Sequence, residues 1–593
     1  MWNPFNNPFA TPDAELYAQN VVPLNEASHD SHSIDEKTAS TDSSEKATAG
    51  TSSPTRGALS IEILKAEIEH DAAVEGHNTA YDRRCPVLFA SHAGCSVIRF
   101  SDNDTDLRLG KSKVLNIAIQ DMGMGRYQWE LFILCGFGWM ADNLWLQGVA
   151  LTLTPIATEF GIDSDTVRYT TLSLFVGLCI GASVWGTGSD IIGRRLAFNT
   201  TLFLAGVFGL ASGGGPNWIG TCALYACLGL GVGGNLPVDG ALFLEFLPYT
   251  HNNLLTLLSF WWPVGQLISS LLAWAYIPNY SCATTAGCTK EQNMGWRYLV
   301  LTLGALTFAM WICRSLIFYL YESPKFLLSK GRQADAVTVI QGVAYRNKTQ
   351  TWLTEDILNQ VGGDPEVTGE DRKLSVMEIV KRSLSKFSTQ RIAPLFNNGW
   401  RLSVTTVLIW FCWAAIGMGY PLFNAFLPQY LANNGGTAPT PTNIVYRNYA
   451  ITSIVGVPGS LIGYYTVNIK FVGRKGTMAI ATLISGIFLF CFTLKNDPNY
   501  QLTFSSLEAF FQNIMYGVLY AYTPEVFPAR NRGTGSGIAS FFNRIAGLCA
   551  PIVALHAGQA NPAAPIYAAG GLFIAAFVAM VLLPIETRGK QTL

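Results

Sequence analysis

Twelve apolar runs, each near the roughly 20 residues that a bilayer-spanning helix needs, constrain this chain more than anything else in it. They fall near 129–151, 168–188, 196–214, 218–243, 254–277, 297–320, 402–430, 449–468, 477–494, 503–523, 533–556 and 564–584. Lipid offers no partners for backbone N–H and C=O groups, so such runs predict an all-α membrane protein. The charge content fits: 13% of the 593 residues are charged, against about 25% in an average soluble chain.

The punctuation between the runs repeats. Gly186-Thr-Gly-Ser-Asp190-Ile-Ile-Gly193-Arg194-Arg195 joins the second and third runs, and its glycines read as a tight turn. Gly193-Arg194-Arg195 returns as Gly473-Arg474-Lys475, and Glu245-Phe-Leu-Pro248 returns as Glu525-Val-Phe-Pro528, both 280 residues on. Two unrelated signals at one spacing mean an internal duplication, the usual build of secondary transporters. The expected layout is a six-helix bundle over 126–321, a linker with helices over 322–400, a second bundle over 401–585, and a short end at 586–593. The twelve spans thus form two pseudo-symmetric halves. A basic amphipathic stretch, Leu374 to Phe387, is read as a strut beneath them.

Basic residues decide the orientation. Arg194, Arg195, Lys325, Lys330, Arg332, Lys381, Arg382, Arg474, Lys475, Arg530, Arg532, Arg588 and Lys590 fall on one set of connections. The opposite set holds Arg168, Lys290, Arg297, Arg447 and Lys495. The positive-inside bias then puts both termini in the cytoplasm. The first residues, Met1-Trp-Asn-Pro, lack a basic-then-apolar pattern, so the first span is expected to direct insertion. Residues 1–125 are rich in Ser, Thr, Asp, Glu and Ala and read as a disordered tail. That tail opens with Asn3-Pro4-Phe5 and Asn7-Pro8-Phe9, which resemble sorting motifs read by endocytic adaptors. On the outward loop Cys282 and Cys288 face an oxidising compartment and are expected to pair. Asn279-Tyr-Ser281 is a glycosylation acceptor pattern beside them. No Cys/His cluster has metal-ligand spacing and no phosphate-binding loop follows a strand, so neither metal nor cofactor nor enzymatic chemistry is expected. A net charge of −1 gives no reason to expect nucleic acid.

With the two arginines, the acid and the glycines, the 186–195 stretch resembles the loop signature of the major facilitator superfamily. Glu322-Ser-Pro324-Lys325-Phe-Leu327 resembles the segment after helix 6 of its sugar transporters. Tyr522-Thr-Pro524-Glu525-Val-Phe-Pro528 with Arg532-Gly533-Thr-Gly535 resembles the signature after their helix 10. Pro584-Ile-Glu586-Thr-Arg588-Gly589 resembles the ending after helix 12, with Ile585 interposed. Gly136-Phe-Gly138-Trp-Met-Ala-Asp142 resembles the synaptic-vesicle-glycoprotein-like branch, fungal members included. The resemblance covers everything after about residue 125 and implies the major facilitator fold and alternating access. The gating loops then carry Gly186, Asp190, Gly193, Arg194, Arg195, Glu245, Gly473, Arg474, Glu525 and Arg532. The chain departs from the family where helix 4 often carries an arginine: here stands Tyr225, ahead of Gly229-x-Gly231-x-Gly233. Lys470 stands where the first loop has Asp190, so a single latch, Asp190 against the start of helix 11, is expected. Helix 5 reads Trp261-Trp262-Pro263-Val-Gly265 and lacks the glycine-proline pattern of drug:proton antiporters.

Ionisable groups at bilayer depth are costly and default to function. Asp142, Asp239, Glu508 and Arg544 lie inside spans, and none recurs at the 280-residue offset. They are the candidates for proton coupling and substrate contact, with packing pairs as the alternative. Gln266 and Asn424 are candidate hydrogen-bonding groups, and Trp410, Trp413 and Tyr420 candidate stacking groups. Arg314, near an inner helix end, is expected to snorkel to the headgroups. The function expected is alternating-access transport of a small polar solute, sugar-like or carboxylated, by proton symport across the plasma membrane. The alternatives are proton-coupled efflux of an apolar compound and a non-transporting receptor or scaffold.

Overall fold

The structure, a computed structural model, describes residues 14–24, 28–29, 57–58, 61, 64, 104–163, 166–251, 253–282, 288–363, 392–393, 395–396, 399–427, 430, 441–467, 469, 471–527, 532–561 and 563–587. It is all-α apart from a two-residue strand pair, Ser28–His29 with Gly57–Ala58. The first half holds α1 (Arg126–Phe160), α2 (Tyr169–Ile192), α3 (Arg194–Ser212), α4 (Trp218–Phe246), α5 (Leu254–Tyr276) and α6 (Gly295–Ile317). The second holds α7 (Trp400–Asn424), α8 (Thr442–Thr466), α9 (Gly473–Phe492), α10 (Pro498–Val526), α11 (Arg532–Ala560) and α12 (Ala564–Leu582).

Among the described residues, nine of these helices are long and apolar enough to cross a membrane. The other three, α1, α8 and α10, have the length, at 35, 25 and 29 residues, but carry more polar side chains. The physical reason is position. Their Asp142, Asn143, Gln147, Asn448, Ser453, Glu508, Gln512 and Asn513 are buried inside the protein rather than facing lipid.

Small residues set the distances between helices. A Cβ on Gly229, Gly231 or Gly233 would meet the backbone of α2 or α3 at 2.4, 2.6 and 2.3 Å, so this glycine run lets α4 lie against both. The two halves meet through α5 against α8 and α2 against α11. Near the basic end Arg474 Nη2 donates to Asn253 Oδ1 at 2.6 Å. Towards the opposite end Tyr446 Oη donates to Leu151 O at 2.8 Å and Arg168 Nη1 to Ala554 O at 2.8 Å. Cys282 and Cys288 form a disulfide at that end. The halves therefore touch on both sides of whatever lies between them.

Two differences from the sequence reading concern the N-terminal tail. Asp104–Met122, assigned by composition to the tail, is a helix. Its Val114, Leu115, Ala118, Ile119 and Met122 bury an apolar face among the linker helices Pro324–Ser329, Gln333–Asn347 and Glu355–Gly362. Interleaved Lys, Asp and Gln residues hide that face from a compositional reading. Tyr17 also reaches the linker, its ring 5.6 Å from that of Tyr345, and its hydroxyl accepts from that of Tyr321 at 2.9 Å. The two Asn-Pro-Phe motifs and the Leu374–Phe387 stretch lie outside the described residues.

Candidate functional site

At the basic end, the duplicated motifs build duplicated contacts. Arg194 pairs with Glu245 at 2.7 Å, and Arg474 pairs with Glu525, each member 280 residues from its counterpart. Glu322 accepts from the backbone N–H of Arg194 at 2.9 Å and of Arg195 at 3.3 Å, closing the start of α3. Glu586 does the same for Arg474 and Lys475 at 3.1 Å, closing the start of α9. A carboxylate at a helix N-terminus meets unpaired donors and the positive end of the dipole. Gly193 (φ 106°) and Gly473 (φ 62°) turn the chain here, and any Cβ would come within 2.6 and 2.8 Å of these carboxylates. Gly186 is different: it lies inside α2 with open space around it, so the turn belongs to Gly193 alone. Arg195 places its guanidinium 5.6 Å from the Tyr319 ring. No side chain is described for Asp190 or Arg532, and Lys470 lies outside the described residues, so the expected latch stays an expectation.

Deeper, between the halves, a cavity of about 570 Å³, its open part included, lies at the level of Asp142. Asp142, Asn143, Leu146, Phe175, Leu236, Trp262 and Gln266 line it from the first half, and Gly417, Tyr420, Pro421, Asn513, Tyr516, Tyr520, Asn543 and Arg544 from the second. Arg544 Nη2 stands 3.9 Å from Asp142 Oδ1, an attraction across the two halves that is too long for a hydrogen bond. That Asp142 oxygen is buried and has no hydrogen-bond partner among the described residues. Gln266 Nε2 donates to Tyr420 Oη at 2.8 Å, and that hydroxyl donates to Asn143 Oδ1 at 3.3 Å. Charge, amides and aromatic faces thus converge on one space, which is how small-molecule sites are built.

The floor of the cavity, on its basic side, is aromatic. Trp139 stacks on Trp262 at 4.8 Å, Tyr520 meets Trp262 edge-on at 4.6 Å, and Trp413 meets Tyr520 at 4.4 Å. Both halves contribute to this block.

The sequence candidates separate accordingly. Asp142, Arg544, Gln266 and Tyr420 come together in the cavity. Asp239 does not: it is fully buried inside the first half against Arg314, with 2.8 Å between Asp239 Oδ2 and Arg314 Nη2. Arg314 does not snorkel, because Leu134 O and Phe198 O also accept from it at 2.7 and 2.8 Å. Asn424 donates to Gln512 Oε1 at 3.2 Å instead of facing the cavity. Trp410 is held by Gly535 O at 3.1 Å and Trp413 by Thr523 Oγ1 at 2.9 Å, so neither stacks in the cavity itself. The sequence reading missed Trp262, Tyr516, Tyr520, Asn513, Asn143 and Asn543. The spacing of Tyr516 and Tyr520, four apart on a cavity helix, is the one signal that pointed to a pair on a common face.

Two like halves closing on a charged cavity at bilayer depth define a membrane carrier. The comparisons with known proteins agree: the family model of the Major Facilitator Superfamily matches residues 131–471 and 409–593. The chain belongs to that superfamily. It is 43% identical over 485 residues to the "MFS siderochrome iron transporter 1" of Ceriporiopsis subvermispora, covering 82% of this chain and 92% of the relative. It is 40% identical to the "Major facilitator-type transporter hxnZ" of Emericella nidulans, covering 83% of this chain and 90% of the relative. Its fold is similar to that of the proton:xylose symporter XylE bound to 6-bromo-6-deoxy-D-glucose, with a TM-score of 0.58 and 18% identity over 79% of this chain and 98% of that one.

Proposed function

We propose that the chain is a proton-coupled importer of a small polar solute bearing an anionic group, in the plasma membrane with both termini cytoplasmic. The observation that carries this reading is the Asp142–Arg544 gap of 3.9 Å inside the cavity. A carboxylate on the solute is a stronger partner for Arg544, bidentate and close. Once it takes Arg544, Asp142 loses its counter-charge and holds a proton far more tightly than without solute, so solute and proton enter the occluded state together. Asn143, Gln266, Asn513 and Asn543 offer hydrogen bonds to hydroxyl or carbonyl groups of the same solute. The orientation rests on the basic loops.

A second reading takes its cargo from the name of the Ceriporiopsis relative, an iron chelate. Proteoliposomes under an imposed pH gradient, offered labelled lactate, glucose and a ferric hydroxamate, distinguish these. Acid-driven accumulation of the carboxylate is expected. Arg544→Gln should weaken its uptake ten- to a hundred-fold, the value of about 1.5–3 kcal/mol for a hydrogen bond to a charged group. Asp142→Asn should abolish accumulation. Uptake indifferent to pH, or equal in the parent and both variants, overturns the reading.

A further inference from the structure

Glu508 stands outside the cavity pair. It is 1% exposed, and neither of its carboxylate oxygens has a hydrogen-bond partner among the described residues. Other buried acids in this protein are paired: Asp239 with Arg314, and Glu159 with Arg297 at 2.7 Å. A carboxylate kept at bilayer depth with no cation is expensive, and a merely structural one would be replaced by an amide without loss.

Its place in the fold supplies a role. Glu508, Gln512, Tyr516 and Tyr520 are each four residues apart on α10 and so form one ridge. Tyr516 and Tyr520 line the cavity, while Glu508 lies further towards Pro498, on the side away from the basic end. Gln512 Nε2, one turn from Glu508, is also buried without a partner among the described residues. The titratable side chains beside this ridge are Tyr420 on α7, edge-on to Tyr516 at 5.7 Å, and Tyr449 on α8, whose hydroxyl donates to Asn424 O at 3.4 Å. Among the described side chains, the Lys and Arg groups of the helices packed on α10 are engaged elsewhere: exposed Arg447 on α8 with Asn448 at 3.2 Å, Arg474 with Glu525 and Lys475 with Leu583 O on α9, and Arg544 across from Asp142 on α11. Tyr420 in turn hydrogen-bonds Asn143, the neighbour of Asp142.

We propose that Glu508 is the proton-entry group of the carrier, receiving a proton from the face opposite the basic end before Asp142 does. The proton leaves a hydronium ion for a Glu508 oxygen. Glu508 then gives this proton to water on the cavity side, from which Asp142 takes it, leaving Glu508 ionised and ready to reload. This rests on the proton-coupled reading of the cavity, and it assigns the loading step to a residue outside the substrate contacts.

The test needs no solute. The full chain in phosphatidylcholine liposomes is given an acid jump on the face opposite the basic end, and infrared difference spectra follow the protonated-carboxyl bands. The parent should show two bands, with the Glu508 band rising first. Glu508→Gln should remove that band and slow the appearance of the Asp142 band, identified by its loss in Asp142→Asn. Glu508→Asp should restore both. An Asp142 band that rises equally fast in Glu508→Gln overturns the proposal. So does failure of both Glu508 variants to fold, which would make the residue part of the packing. Absence of transport in the solute panel, with both bands present, refutes the import reading and leaves the proton path standing.

Discussion

Removing Asp239 should damage the protein more than removing Arg314, although the two form one ion pair. Both side chains are fully buried and 2.8 Å apart. Breaking a buried pair by deleting one partner costs about 3–5 kcal/mol, because a charge is left unpaired. The two deletions are not equivalent. Arg314→Met leaves a carboxylate, which can take up a proton and become neutral. Asp239→Asn leaves a guanidinium, which stays charged at any accessible pH. Leu134 O and Phe198 O still accept from it, but they are dipoles and not counter-ions. Asp239→Asn should therefore reach the upper part of that range and Arg314→Met the lower. The double change Asp239→Leu with Arg314→Met should recover to within about 1–2 kcal/mol of the parent, since apolar replacement of a buried pair is often near neutral. Reversible unfolding titrations in mixed micelles give the four free energies. Equal costs for the two single variants, or a double variant as poor as their sum, would refute the argument.

Gly138→Ala should prevent the first half from assembling, because the new Cβ would sit 1.7 Å from Asp239 Oδ2; yield of folded protein on size exclusion checks this. Gly186→Ala, in open space within a helix, should instead stabilise by up to about 1 kcal/mol in the same assay. Burial holds the Glu322 carboxyl above the usual carboxylate range, against the backbone donors that pull it down. The folded form therefore binds this proton more tightly than the unfolded chain does. The resulting stability is present in acid and is lost as pH rises through the titration of Glu322. Glu322→Gln should flatten that slope in melting curves recorded from mildly acidic to neutral pH; an unchanged slope would assign it to another group.

Much of the architecture was legible because membrane helices announce themselves one at a time. Length and apolarity locate all twelve spans, and the fixed offset between Arg194 and Arg474 and between Glu245 and Glu525 pairs the halves. The site was legible only in part. Periodicity says that Asp142, Asp239 and Glu508 lie inside spans, but not what each one faces. The partner of Asp239 is Arg314, 75 residues on, and nothing local marks the two as neighbours. The failed recurrence of Asp239 at the 280-residue offset points in the sequence to substrate or proton work, yet a pair can stabilise one half without being copied in the other. Trp262 and Tyr520 were missed for a related reason: aromatic residues are common in every span, and only the approach of α5 to α10 gives these two a shared role.

The aromatic floor of the cavity has an electrical consequence. Trp139, Trp262, Tyr520 and Trp413 fill the route from the charged centre to the basic end with ring faces and edges. The indole N–H groups of Trp139 and Trp262 are buried without partners among the described residues, so they form no hydrogen-bonded thread through the block. Ions and protons cross membranes along continuous files of water or hydroxyl groups, and here that file is interrupted by stacked carbon. A carrier built this way is an insulator when closed: charge can cross only when the halves part and the rings separate.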